Sequence, residues 1–320
     1  MPDASEAALR ADWYLRGRLR LRHLRLLMVM DDVRNVGEAA RRMATTQPAV
    51  SRMLAELEEM VGARLFERTS KGTFPTVHGA SMIRHASWVL GDLERMGREW
   101  SEPGGLGVET LSVGINSSSA AFLVPRTLLR LERRAAGVNV LVREGSIEAL
   151  LPDLQTRKLD LVVARLGAGT AGAGLATRIL CEEPMCVCGS ASHPLASRKR
   201  PSWQDLAAYP WILPPRGSPV RAGLDMLFQR EDVRPASRVE SASVLNNMVL
   251  MDNSQALSVM PRAVAAYHAR RHALAILAVE LPPVFGPIGV IRHDSLEPSP
   301  AMRALVECLE EEARALSQAP

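Results

Sequence analysis

The chain is 320 residues long, 47% hydrophobic and 23% charged. That length is too great for one small domain and favours two or three folding units with real cores, and no stretch approaches the ~20 uninterrupted apolar residues of a membrane helix. The net charge of +4 fits an anionic partner without proving one, and arginine supplies almost all of the positive charge, since Lys71, Lys158 and Lys199 are the only lysines.

Residues 1–19 lack the apolar core and cleavage site of a secretory signal, so they read as an extension of a cytoplasmic protein. A first amphipathic helix is expected from Arg20 to Val33, with Leu21, Leu24, Leu27 and Met28 facing inward. The run from Asn35 to Arg52 then reads as two short helices joined by a tight turn. Asn35 is a good N-cap, and Glu38 stands three residues on, where it can close a capping box. Ala39, Ala40 and Met43 share a face whose small side chains let a second helix approach. Thr46 caps that second helix, and Pro48 is tolerated in its first turn, where backbone amides lack helical partners anyway. Ala49, Val50, Met53, Leu54 and Leu57 form its buried stripe. Gln47, Ser51 and Arg52 point elsewhere, and these residue types suit base edges and phosphates in a major groove.

That segment alone also describes an ordinary helical hairpin; the residues after it point to DNA. Gly62 to Thr76 predict a strand, a turn and a strand, with Ser70-Lys71-Gly72 at the tip. A basic hairpin after a candidate recognition helix is a wing able to meet phosphates. A long helix is expected over residues 78–100, carrying Met82, Ile83, Ala86, Val89, Leu90, Leu93 and Met96 near heptad spacing, a seam suited to pairing with a second copy. Residues 101–108, rich in Gly and Pro, read as a hinge.

On Ala39-Ala40, Thr46-Gln47-Pro48-Ala49-Val50-Ser51-Arg52, Leu57-Glu58, Gly62, Leu65-Phe66-Glu67-Arg68, Gly72 and Thr76-x-x-Gly79, the chain resembles the LysR-type transcriptional regulators. Arg20-Leu21-Arg22-His23-Leu24 and Val36-Gly37-Glu38-Ala39-Ala40 look most like the subgroup of protocatechuate-catabolism and galactose-binding-protein regulators. Two positions depart from the family: Thr45, where an apolar residue is usual, and Pro75, which removes a strand donor. The resemblance implies an all-α winged helix-turn-helix DNA-binding domain over residues 20–77. Its expected DNA contacts are Thr46, Gln47, Pro48, Ser51 and Arg52 on the helix and Arg68, Ser70 and Lys71 in the wing. It also implies double-stranded promoter DNA, RNA polymerase and further copies of the chain, as dimer or tetramer, as partners.

Beyond the hinge the pattern alternates. Strands are expected at Thr110–Ile115, Val138–Arg143 and Leu159–Ala164, with helices at Phe122–Ala135 and Ile147–Arg157 between them, an order that implies a parallel sheet. A second set comes next, with strands at Met185–Gly189, Trp211–Leu213 and Ala256–Pro261 and helices near Val220–Arg230, Ala242–Asp252 and Ala263–Arg270. Val290–Arg292 reads as a late return strand and Ala301–Leu316 as a closing helix. Residues 109–320 thus resemble the family's α/β two-lobed, periplasmic-binding-protein-like regulatory domain, which implies a small effector in the cleft at strand carboxyl ends. Expected effector contacts are Asn116, Ser117 and Ser118 before a helix N-terminus, Glu144 and Arg165 at strand ends, and Arg216 and Ser218 in the second lobe. Plain helix capping by the serines is the competing reading. Arg165 and Arg216 would suit an organic acid, and a sugar or aromatic ligand fits equally.

Neither a catalytic residue nor a cofactor is expected: phosphate-loop, dinucleotide and nucleophile-elbow motifs are missing from the sequence. His268 and His272 stand at i and i+4 of an expected helix, but the Arg270-Arg271 pair between them would repel a cation, so no metal is expected. Cys186 and Cys188 alternate on a strand as small core residues, with redox sensing as the lesser reading beside Cys181 and Cys308. The runner-up function is a cytoplasmic solute-binding module that pairs without touching DNA.

Overall fold

The computed structural model describes residues 19–101, 109–116, 122–167, 170, 174–294 and 297–317. The chain divides into two compact units, broadly residues 1–105 and 106–320.

In the first unit, helices α1 (Leu21–Val33), α2 (Val36–Arg42) and α3 (Gln47–Val61) precede a hairpin of β1 (Phe66–Thr69) and β2 (Gly72–Pro75), and α4 (Val77–Ser101) comes after it. This is the expected helical winged helix-turn-helix, its wing a two-stranded hairpin. Helix α1 buries His23, Leu24, Leu26, Leu27 and Met30. The set 23, 26, 27, 30 is one face of a 3.6-residue period, and Leu21 lies about 200° round from His23, which corrects its expected inward position: it is 53% exposed. Leu26, Leu27, Leu57 and Leu65 are completely enclosed, each contributing roughly 2 kcal/mol of burial.

The turn between α2 and α3 is built from backbone bonds. The Thr45 amide donates to the Ala40 carbonyl at 2.9 Å, and Ala44 takes a left-handed conformation, φ 50°. Thr45 itself is exposed, so the departure from an apolar residue buries no hydroxyl. Asn35 accepts from the Glu38 amide at 3.0 Å, but the expected capping box is only half formed, because the Glu38 carboxylate pairs with Arg41 instead.

Helix α3 and the wing are tied together by Glu58, whose Oε1 accepts from the amides of Leu65 at 2.7 Å and Phe66 at 3.2 Å. The hairpin registers Phe66 opposite Pro75 and Thr69 opposite Gly72, leaving Ser70 and Lys71 at the tip. Pairing stops at Pro75, as the loss of its donor requires. The wing is braced from behind: the Thr73 amide donates to the Arg34 carbonyl at 2.8 Å, and the Arg34 guanidinium lies 4.9 Å over the Phe74 ring. Helix α4 splits its expected seam. Ile83 and Ala86 sit inside this unit's own core, and only the later positions Val89 and Met96, with Trp100, remain exposed.

The second unit holds two five-stranded sheets. The first lobe uses β3 (Glu109–Ile115), β4 (Val138–Glu144), β5 (Leu161–Arg165), β6 (Leu175–Cys181) and β12 (Ile288–His293) in the order β4-β3-β5-β12-β6, with α5 (Leu123–Arg134), α6 (Ile147–Gln155) and α11 (Pro300–Ser317). The second uses β7 (Met185–Gly189), β8 (Trp211–Leu213), β9 (Ser237–Glu240), β10 (Leu257–Pro261) and β11 (Ala275–Ile276) in the order β11-β7-β10-β8-β9, with α7 (Trp203–Ala207), α8 (Pro219–Arg230), α9 (Val244–Asp252) and α10 (Arg262–Ala269).

The expected parallel order holds for β4-β3-β5. The expected return strand, β12, runs antiparallel between β5 and β6 because it re-enters the first sheet after the chain has built the second. In the same way β8, β9 and β10 are parallel and β7 is antiparallel to β10. The chain thus passes between lobes twice, after β6 and again before β12. Helices α5 and α11 cover one face of the first sheet, where Leu131, Leu305 and Leu309 meet Leu111 and Val113. Trp211, Leu224 and Leu227 centre the core of the second lobe.

Candidate functional site

The first candidate surface is the start of α3. Thr46 caps it, its Oγ1 accepting from the Ala49 amide at 3.4 Å, and Pro48 sits in the first turn. Val50 and Leu57 bury the opposite face, so Gln47, Pro48 and Arg52 are exposed and Ser51 is half-buried. In the wing, Arg68, Ser70 and Lys71 are all exposed. Some of the arginines nearby are already paired. Arg34, Arg41, Arg42 and Arg64 form ion pairs with Asp31, Glu38, Asp32 and Glu58. Among the described residues, the side chains of Arg52, Arg68 and Lys71 have no such partner. Cations with no carboxylate beside them, on a helix start and a hairpin tip, are available to phosphates and base edges.

The second candidate is a cavity of about 80 Å³ between the lobes of the regulatory unit. Asn116, Ser146, Arg165, Arg216, Ser218, Ser241 and Asn247 give it polar groups, and Met185, Val259 and Met260 an apolar wall. Asn116, Arg165, Arg216 and Ser218 were expected there. Ser117 and Ser118 lie outside the described residues. Glu144 is a correction: it ends the edge strand β4 and is exposed, and the first turn of α6, at Ser146, Ile147 and Glu148, lines the cavity in its place. Asn247 carried no motif of its own, and only the topology brings α9 to the cleft.

Arg165 has a different character from the exposed grip expected of it. It is buried, and donates to the Gly286 carbonyl at 2.6 Å and the Glu183 carbonyl at 3.2 Å. These two carbonyls belong to the two passages between lobes, so Arg165 ties both to the end of β5. Its guanidinium also stands 3.5 Å from the Glu183 carboxylate. Burial pushes the Glu183 carboxyl up to about 7, against the opposing pull of Arg165. A carboxyl raised in the folded state contributes stability below its unfolded value, near 4.3, and loses it as pH rises through about 7. Glu183→Gln is therefore expected to lie close to wild type in thermal midpoint at pH 4 and to exceed it at pH 8; equal midpoints at both would remove this carboxyl from the pH response.

In the second lobe the Arg216 side chain is 82% exposed and its Nε donates to Glu240 at 3.2 Å. Ser218 caps α8, its Oγ accepting from the Arg221 amide at 3.2 Å and donating to the Pro215 carbonyl at 2.8 Å. The buried Arg221, which no sequence motif marked, holds Asp225 and Glu240. Its hydrogen bonds to those carboxylates and their charge outweigh burial and hold its guanidinium above the usual range.

All four cysteines are free and buried. Cys186 and Cys188 share one face of β7 with sulfurs 3.6 Å apart. The Cys186 hydrogen bond, with burial second, holds the Cys188 thiol well above its ordinary value, and burial pushes Cys181 up to about 11. Thiols held protonated are poor nucleophiles toward oxidants. The helical spacing of His268 and His272 is corrected: α10 ends at Ala269, and His272 lies beyond it with φ 56°. Among the described residues no group of three or more His, Cys, Asp or Glu side chains gathers as a metal site, and no helix is long and apolar enough to cross a membrane.

Comparison with known proteins agrees with both halves. Residues 21–80 match the bacterial regulatory helix-turn-helix proteins of the lysR family, and residues 104–314 match the LysR substrate binding domain. The HTH-type transcriptional regulator GbpR of Azospirillum brasilense is 32% identical over 257 residues, covering 80% of this chain and 75% of its own. PcaQ of Agrobacterium fabrum, also an HTH-type transcriptional regulator, is 27% identical over 298 residues, covering 92% and 96%. Among solved structures, a full-length OxyR variant from Pseudomonas aeruginosa aligns with a TM-score of 0.60 at 24% identity, over 93% of this chain and 95% of that one, a likeness of fold. The paired matches, covering the helix-turn-helix and the two-lobed unit in one chain, show that it belongs to the LysR family of DNA-binding transcriptional regulators with a substrate-binding domain.

Proposed function

We propose that this regulator reads its operator through the first turn of α3, with Gln47, Ser51 and Arg52 at base edges and phosphates, Thr46 and Pro48 shaping that turn, and Arg68, Ser70 and Lys71 on the backbone alongside. The observation that carries this reading is placement: Gln47 and Arg52 are exposed on α3 opposite buried Val50 and Leu57, Arg68, Ser70 and Lys71 are exposed on the wing, and among the described residues these three cations have no carboxylate partner. Residues 20–77 act as the reading head, 78–100 as the pairing helix and 109–320 as the sensor. Exposed Val89 and Met96 on α4 supply an apolar face for a second copy. Two heads on one dimer, or four on a tetramer, read repeated half-sites. The protein works in the cytoplasm on promoter DNA alongside RNA polymerase, and catalyses no reaction.

The sensor takes a small effector between its lobes, with Asn116, Arg165, Arg216 and Ser218 in its lining and Ser117 and Ser118 of the adjoining segment as further contacts. Effector binding shifts a population between lobe arrangements, which requires that it bind one arrangement better than the other. The test is an anisotropy titration of operator DNA at two salt concentrations, with random DNA as the control. Tight, salt-sensitive and sequence-selective binding is expected. Lys71→Ala is expected to weaken binding about equally for operator and random DNA, and to reduce the slope of log K against log salt by about 1. An unchanged slope would take Lys71 off the phosphates.

A further inference from the structure

We propose that the cleft recognises a small hydroxy-carboxylate, and that Asn247 is the residue that selects for its hydroxyl. The inference rests on the reading of this cleft as the effector site, and names the ligand class that the cleft fits.

The lining favours an anion. Arg165 and Arg216 stand in it beside the carboxylates of Glu183 and Glu240, so the positive charge left for a ligand is that of the helix termini. Helices α8 and α9 both begin at the cavity wall, through Ser218-Pro219-Val220 and through Ala242 and Val244. Neither carries an acidic residue in its first turn, so the partial positive charge of each N-terminus, roughly half an elementary charge, is left for a ligand. Helix α6 is different, because Glu148 in its first turn already answers its own terminus.

Asn247 supplies the second, independent observation. It lines the cavity and is only 6% exposed. Its Nδ2 donates to Ser258 Oγ at 3.4 Å, and Ser258 Oγ donates in turn to the Ile212 carbonyl at 3.4 Å. With the hydroxyl proton spent on Ile212, Ser258 can only accept from Asn247, which fixes the amide with Oδ1 on the other side. That oxygen has no hydrogen-bond partner among the described residues. A buried amide oxygen left without a donor is costly, so a donor from the ligand is the natural complement. A carboxylate has no proton to give. An ammonium would face the positive ends of α8 and α9. A hydroxyl on the same small molecule meets both conditions.

Size narrows the class further. A cavity of about 80 Å³, at roughly 10–15 Å³ for each water-sized occupant, has room for about half a dozen heavy atoms. Met185, Val259 and Met260 form the wall for a short carbon skeleton.

The experiment is calorimetric titration of the full chain with matched pairs, lactate against propionate and glycolate against acetate, and with glycerol and ethylene glycol as neutral probes. The hydroxy acid of a pair is expected to bind about tenfold more tightly than its deoxy partner. Asn247→Leu should close that gap by weakening only the hydroxy acid, and Ala242→Trp, which fills the cleft, should abolish both. If Asn247→Leu does not fold, Asn247→Asp carries the test, because the added negative charge should expel every acid while leaving the shape intact. Equal affinity within both pairs, binding of none of the acids, or binding of a neutral probe alone would overturn the hydroxy-carboxylate. A neutral probe still displaced by Ala242→Trp would leave the cleft as the effector site, whereas acid binding that survives Ala242→Trp would overturn the cleft itself.

Discussion

Arg52→Ala is expected to weaken operator binding by about 1–3 kcal/mol, a loss of roughly 5- to 150-fold, with little change in binding to random DNA. The position of the side chain gives the reason. Arg52 is exposed on α3 while Val50 and Leu57 hold the opposite face in the core, so truncating it removes no packing. It has no ion-pair partner among the described residues, so no carboxylate is left stranded either. The whole effect should therefore appear in DNA binding and none in the thermal midpoint. Lysine at the same position should recover affinity for random DNA without restoring selectivity, because an ammonium lacks the two-pronged geometry that reads a guanine edge. A parallel loss on operator and random DNA in the alanine variant would reassign Arg52 to phosphate contact. An unchanged operator affinity would remove it from the interface.

The two halves of the chain differed in how much the sequence disclosed. The reading head depends on local signals, each within a few residues of the group it serves: Thr46 three residues before the amide it caps, Pro48 in a first turn, and Ser70-Lys71 between two strands paired from Phe66 to Pro75. Such short-range chemistry is visible without a fold. The half-formed capping box was missed because Glu38 has a competing partner, Arg41, one turn further along the same helix. In the regulatory unit the strands with continuous apolar runs, such as Leu161–Arg165, stood out. Strand β6 did not, because its middle residues Thr177, Arg178 and Ile179 are exposed on an edge and break the alternation. The antiparallel entry of β12 depends on a second passage between lobes, which no local pattern encodes. The cleft shows the same limit. Arg165 was legible as a strand-end arginine, but its bonds to Glu183 and Gly286 join segments 18 and 121 residues away. The unpartnered oxygen of Asn247 depends on Ser258, eleven residues on and in a different element.

Gly79→Ala is expected to be the most damaging single-methyl change in the reading head. Thr76 and Gly79 form one joint: the Thr76 hydroxyl donates to the Arg64 carbonyl at 2.8 Å and accepts from the Gly79 amide at 3.0 Å. The Thr76 amide meanwhile donates to the Leu65 carbonyl at 2.9 Å. That carbonyl is pulled so close to the first turn of α4 that a Cβ on Gly79 would stand 1.9 Å from it. The obstacle is backbone, held by the bond from Thr76 and by the full burial of Leu65, so no rotamer change relieves it. Either the wing or α4 must move. Overpacking of this kind costs about 3 kcal/mol or more, which for a domain of this size lowers the thermal midpoint by roughly 10 °C or more. Gly97→Ala makes the internal comparison, since nothing lies within 4 Å of a Cβ built there and alanine favours a helix over glycine by up to about 1 kcal/mol. Calorimetric melting of the two variants should therefore move in opposite directions. A Gly79→Ala protein melting within a degree or two of wild type would mean that the backbone at Leu65 yields readily to a methyl on Gly79. The Thr76-x-x-Gly79 motif would then owe its spacing to the Thr76 cap alone.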